Sequence, residues 1–209
     1  MSSSVCFENS PFADELRALA RAEAKVPPPA NGILFYGSSS IRLWETLAAD
    51  FAGLPVINHG FGGSTLADCL AEMERLVYPV LPRAIVLYAG DNDLDQGASP
   101  ERVVHLVEQI IAGIRHRLGA VPVLTLSIKP SPVRFWNAAN IRRSNELIAE
   151  LIAGCPGVHY LDIFAPMLNE RGEPRHEMFT DDRLHMNRQG YSLWASLVRE
   201  RLVNLGLID

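Results

Sequence analysis

"GILFYGSSS", residues 32–40, ends an apolar run in a glycine and three consecutive serines. The run is too short and too continuously apolar for an amphipathic helix, and it reads as a strand buried on both faces of a parallel sheet. Four more runs have the same character: "PVINHG" (55–60), "AIVLYAG" (84–90), "VPVLTLSI" (121–128) and "VHYLDI" (158–163). Between them the period changes to that of a helix. Leu66, Leu70, Met73 and Leu76 form one stripe, Val103, Val107, Ile110, Ile111 and Ile114 a second, and Leu147, Leu151 and Ile152 a third. Ser99-Pro100-Glu101 has the chemistry of a helix start, with a capping hydroxyl, proline in the first turn and an early acid. A short helix is expected around Leu43 to Phe51, and a last one from near Asn187, presenting Tyr191, Trp194, Leu197 and Val198. Strands alternating with helices require right-handed crossovers and a sheet covered on both sides. The fold class expected is therefore α/β, a three-layer α/β/α sandwich forming a single domain over residues 1–209. Residues 1–31 supply an N-terminal helix and, through "VPPPANG" (26–32), the lead-in to the first strand.

Composition narrows the function. With 48% hydrophobic and 21% charged residues and a formal charge of -5, the chain is an ordinary globular one, and nothing basic in it favours nucleic acid as a partner. The N-terminus has no basic segment followed by an apolar core, and no run is long enough to span a bilayer, so a cytoplasmic location is expected. Cys6, Cys69 and Cys155 are odd in number and widely spaced, which suits reduced thiols better than a disulfide framework or a metal site.

In open α/β sheets ligands bind beyond the carboxyl ends of the strands. "GSSS" lies there after the first strand, "HGFGGST" (59–65) after the second and "GDNDLDQG" (90–97) after the third, while "DDRLHMN" (181–187) precedes the last helix. These four blocks, in this order, resemble the SGNH or GDSL-type serine hydrolases. The resemblance spans nearly the whole chain. It aligns Gly37-Ser38-Ser39-Ser40 with the family's first block, making Ser39 the nucleophile, and Gly63 with the glycine of an oxyanion hole. Gly90-Asp91-Asn92-Asp93 matches the third block, with Asn92 as an amide donor, and Asp182-Arg183-Leu184-His185 the fourth. Ser38 and Ser64 stand where aspartate is common in the family. The resemblance implies a flavodoxin-like sheet of five parallel strands, ester hydrolysis without a cofactor or metal, and a small-molecule or lipid ester as substrate.

A serine attacking an ester needs a base, and histidine, with a reference pKa of about 6.5, takes and returns a proton near neutrality. His185 is that candidate. Asp182, three residues earlier, is placed to fix its tautomer and stabilise the imidazolium. The N–H groups of Ser39 and Gly63 and the Asn92 amide would receive the oxyanion. Ser38 and Ser40 are expected to hold the turn through local hydroxyl hydrogen bonds.

Other readings compete. Asp91, Asp93, Asp181, Asp182 and His185 could serve a metal-dependent phosphoesterase, and the fold could be a non-catalytic binding domain. "DNDLDQG" imitates a calcium loop but has Gln96 where glycine is needed and Arg102 where the bidentate acid belongs. Thr65 replaces the third glycine of a dinucleotide fingerprint, and His176-Glu177 is not followed by a second zinc-binding histidine. His59, His105, His116 and His159 have no comparable partner spacing. In "KPSPVRFWNAAN" (129–140), Phe135 and Trp136 offer apolar walls for a substrate, or else core or subunit contacts.

Overall fold

A computed structural model describes residues 10–209; Cys6 lies outside them. Strands β1 (Ile33–Gly37), β2 (Val56–Gly60), β3 (Ala84–Tyr88), β4 (Val123–Leu126) and β5 (Val158–Leu161) occupy the five expected apolar runs. They form one parallel sheet in the order β2-β1-β3-β4-β5. This is the flavodoxin-like order, whose topological switch falls between β1 and β3 and opens a crevice at their carboxyl ends.

The helices are α1 (Ala13–Lys25), α2 (Ser39–Arg42), α3 (Leu47–Asp50), α4 (Leu66–Leu76), α5 (Asp91–Asp95), α6 (Pro100–Leu118), α7 (Ala138–Ala153) and α8 (Arg188–Asn204). Side chains alternate across each strand, so the two faces build separate cores. Leu34, Tyr36, Ile85 and Leu87 point to a core closed by α1, α4, α6 and α7. Ile33, Phe35, Val86 and Tyr88 point to a second core, closed by α2, α3 and α8. Trp44 and Trp194 anchor the second, Trp194 packing edge-on to Tyr88 with centroids 4.7 Å apart. Burying a large aromatic contributes about 2–3 kcal/mol, which makes this the densest store of apolar stabilisation on that side.

The capping chemistry is as expected at Ser99, whose hydroxyl accepts the Arg102 N–H, and at Asn187, whose side chain accepts the Gln189 and Gly190 N–H groups. Two elements differ. The helix expected near 43–51 is two single turns, and the first begins at Ser39 itself; Asp50 ties the pair together by accepting from the Trp44 indole and the Thr46 hydroxyl, both at 2.7 Å. On α7 the buried face runs through Ile141, Ser144, Asn145, Ile148 and Ile152, leaving Leu147 and Leu151 half-buried. Asn145 explains the shift: its side chain accepts from Ile128 N at 2.7 Å and donates to Ile128 O at 3.0 Å, satisfying the backbone just beyond β4.

Gly37 sits at the switch point with φ +143°, and a Cβ there would fall 1.8 Å from the Tyr88 carbonyl oxygen. That contact is with backbone, which cannot rotate away. Gly37→Ala is expected to destabilise the fold by about 3 kcal/mol or more, through clash and backbone strain together. Gly53 also has positive φ, +85°, but open space around it. Gly53→Ala is expected to cost only about 1 kcal/mol. Urea unfolding of the two variants checks this, and equal losses would mean that close approach is not the constraint at Gly37.

Candidate active site

The residues singled out at the two ends of the chain meet. Ser39 Oγ lies 3.0 Å from His185 Nε2, across 146 positions of sequence, and His185 Nδ1 lies 2.5 Å from Asp182 Oδ2. Asp182 and His185 share a tight loop closed by an antiparallel bridge between Phe179 and Met186. Within it Arg183 adopts φ +58°, and the Thr180 N–H donates to the His185 carbonyl. The other Asp182 oxygen accepts from Leu184 N at 2.8 Å, His185 N at 2.9 Å and Thr180 Oγ1 at 2.7 Å. Partial burial pushes this carboxyl upward, but the His185 ring and these donors outweigh it and hold it well below the usual carboxylate range. An ionised Asp182 accepting from Nδ1 leaves Nε2 as the acceptor for the Ser39 hydroxyl.

Ser39 opens α2, the first turn after β1. The hydroxyls of Ser38 and Ser40 do not hold that turn. Both are fully buried with no hydrogen-bond partner, and the backbone does the work instead: Ser38 N donates to Tyr88 O at 3.0 Å, and Ser38 O accepts from Ile41 N at 2.9 Å. The hydroxyl expectation failed because β1 and β3 draw this segment below the surface.

Gly63 is exposed, in the left-handed region at φ +67°, and its N–H donates to no described residue. The preceding Gly62 N–H is fixed by Glu15 of α1 at 2.9 Å. Asn92, on α5, donates from Nδ2 to the Ser64 carbonyl at 2.9 Å, so it is bonded to the residue that follows Gly63. Phe135 is half-buried against the core beneath α6 and α7, while Trp136 is 73% exposed. A cleft of about 440 Å³ borders His185 and Asp182 and is lined by Leu43, Met186, Tyr191, Glu45, Thr46 and Arg188, among others.

A charged cluster that sequence reasoning missed lies behind Asn92. Lys129, only 1% exposed, donates to Asp91 Oδ2 at 2.8 Å and to the Tyr88 hydroxyl at 3.2 Å. Burial disfavours the Lys129 cation, yet the Asp91 charge outweighs this and raises the ammonium above its ordinary range. Asp91 is likewise pushed up by burial but held low by Lys129 and Arg134. Arg134 reaches Asp91 at 3.2 Å, Asp95 at 3.0 Å and Asn92 Oδ1 at 2.9 Å. The only sequence signal was two cations on the loop leaving β4 at the site's edge of the sheet. Asp93 has a different duty: both its oxygens accept the Leu66 N–H, capping α4. Asp91, Asp93 and Asp182 of a phosphoesterase reading thus face cations, the His185 ring and backbone donors, and no three His, Cys, Asp or Glu among the described residues are grouped to hold a metal ion.

The family model for the GDSL-like Lipase/Acylhydrolase family matches residues 30–193. The chain belongs to that family. It is 28% identical over 186 residues to platelet-activating factor acetylhydrolase IB subunit alpha1 of Bos taurus, covering 83% of this chain and 75% of the relative. The Homo sapiens counterpart gives the same identity, with 76% of its length covered. A GDSL-like lipase structure from Bacteroides thetaiotaomicron superposes with a TM-score of 0.75 at 19% identity, over 91% of this chain and 98% of that one. Family and relatives make this GDSL-like protein an ester hydrolase. No helix among its described residues is long and apolar enough to cross a membrane.

Asp93 gives a pH prediction. Burial raises its carboxyl to about 6, against which the Leu66 N–H works only partly. The unfolded carboxyl titrates near 3.9, so between these values the folded chain holds the extra proton and stability falls as pH rises. Two units at about 1.4 kcal/mol each amount to about 3 kcal/mol, fully present below pH 4 and lost as pH rises through about 6. Asp93→Asn is expected to flatten that part of the stability curve, measured by urea unfolding from pH 4 to 7. An unchanged slope would overturn it.

Proposed function

We propose that the chain is a serine-dependent carboxylester hydrolase working through an acyl-enzyme. The observation that carries this is the hydrogen-bonded chain Ser39–His185–Asp182, assembled from opposite ends of the sequence at 3.0 and 2.5 Å. Ser39 Oγ attacks the acyl carbon as His185 Nε2 takes its proton, and Asp182 stabilises the resulting imidazolium. The carbonyl oxygen becomes an oxyanion, received by the N–H groups of Ser39 and Gly63 and by the Asn92 amide. Its collapse breaks the ester bond, and the departing alkoxide takes the proton back from His185. Water then adds to the acyl-enzyme with His185 again as base, releasing the carboxylic acid and restoring the serine hydroxyl.

The cleft beside His185 supports placing the departing alcohol there, next to the imidazole that protonates it. Relatives named for acetyl hydrolysis support a short acyl group on a small-molecule or lipid ester. The free thiols of Cys69 and Cys155 suit a cytoplasmic, reducing location.

Ser39→Ala is expected to abolish turnover of p-nitrophenyl acetate and labelling by a serine-directed phosphonate, with urea unfolding unchanged. Peptide mapping of the wild-type adduct checks the atom attacked; an adduct on Ser38 or Ser40, or an active Ser39→Ala protein, would sink the reading. Asp182 should add no limb of its own to the pH profile of activity in the usual carboxylate range, because it stays ionised well below that range. Asn92→Ala is expected to lower kcat by about 10²-fold or more with little change in KM.

A further inference from the structure

The Asn92 amide has one acceptor and two N–H donors, and its surroundings read both ends. Its Oδ1 accepts from Arg134 at 2.9 Å, and one Nδ2 hydrogen goes to the Ser64 carbonyl at 2.9 Å. The second hydrogen is given to no described residue. A flipped amide would set NH₂ against guanidinium and oxygen against the Ser64 carbonyl, so both contacts would become repulsive. Ser64 enforces one half of this choice. Arg134 enforces the other.

We propose that Arg134 is a positioning residue for the reaction, locking the Asn92 amide so that one N–H remains for the oxyanion. This rests on the reading of Asn92 as an oxyanion donor. Arg134 is itself over-determined: its side chain is only 14% exposed and is held by Asp91 and Asp95 as well as by Asn92. Its segment is tied to both halves of the site. Val133 N donates to the Arg183 carbonyl on the His185 loop at 3.1 Å, and Asn137 Nδ2 donates to the Leu94 carbonyl on α5 at 3.3 Å. The segment 132–137 therefore braces the acid–base loop against the amide helix, and the guanidinium is its contact with the chemistry.

Charge adds to geometry. A cation on Oδ1 draws electron density from the amide and makes the remaining N–H a stronger donor in a site of low dielectric. Because the oxyanion exists only along the reaction coordinate, the benefit falls on kcat and hardly on KM. A residue acting only through stability would not divide the two constants in this way.

The test is a double-mutant cycle on a p-nitrophenyl ester, with urea unfolding in parallel. Arg134→Met, which keeps an unbranched apolar stem and loses every donor, is expected to lower kcat by about 10-fold or more with KM within about 3-fold. Arg134→Lys, which keeps a cation on the same acids, is expected to recover part of that loss and serves if the methionine variant does not fold. In the Asn92→Ala background either substitution should change kcat by less than about 3-fold, because the group it positions is gone. A slow Asn92→Ala enzyme beside a near-normal Arg134→Met enzyme would overturn the Arg134 proposal alone. So would losses that simply multiply in the double variant. A near-normal kcat for Asn92→Ala would overturn both the proposal and the oxyanion reading beneath it.

Discussion

One backbone juncture at Gly37 holds the three strand-end loops of the site in register. Its carbonyl accepts the Phe61 N–H from the β2 side at 3.0 Å, and the next N–H, that of Ser38, donates to the Tyr88 carbonyl on the β3 side at 3.0 Å. The glycine is obligatory because the Tyr88 oxygen occupies the space a side chain would need. Ser39 thus directly follows a segment hydrogen-bonded both to the loop of Gly63 and to the loop of Asn92. A parallel sheet delivers every carboxyl end to one edge, and this juncture sets how far apart the first three ends lie. The remaining partner, His185, arrives on a hairpin whose internal bonds are local, so a single long-range contact completes the serine–histidine–aspartate chain.

Beneath that edge the protein buries full charges. Removing Lys129 and Asp91 from water costs several kcal/mol apiece, which their mutual attraction offsets only with good geometry and further hydrogen bonds. Here Tyr88, Arg134 and the 2.8 Å pair supply them. The pair contributes less to net stability than to uniqueness: a buried ammonium accepts one arrangement of its neighbours, and that arrangement fixes the start of α5, one residue before Asn92. Breaking it from one side would leave an uncompensated charge, typically at 3–5 kcal/mol.

The sheet was legible in the sequence because strands buried on both faces leave continuous apolar runs, and α6 because its stripe has no polar interruption. The face of α7 was not, since Ser144 and Asn145 occupy buried positions that a hydrophobic pattern treats as solvent-facing. Ser39, Asp182 and His185 could be picked out as candidates because each sits in a short block of fixed internal spacing, and the structure brings the three together. Arg134 could not: its partners Asp95, Asn92 and Asp91 lie some forty positions earlier on another strand's loop, and only the fold brings them to it. The hydroxyls of Ser38 and Ser40 misled for a related reason. Turn chemistry presumes water or backbone within reach, and tertiary packing removed both.

The division of the core between two faces orders events during synthesis on the ribosome. The face covered by α1, α4, α6 and α7 can close as soon as β5 has emerged. Most of the cover for the other face comes from Ile163, Met167, Met178, Phe179, Met186 and the residues of α8. Until they leave the exit tunnel, Phe35 has Trp44 and Phe51 against it, Val86 and Tyr88 lack most of their cover, and His185 has not reached Ser39. A nascent chain therefore exposes this apolar face and lacks the Ser39–His185 contact over the same interval, and both conditions end when the segment from Ile163 through α8 docks.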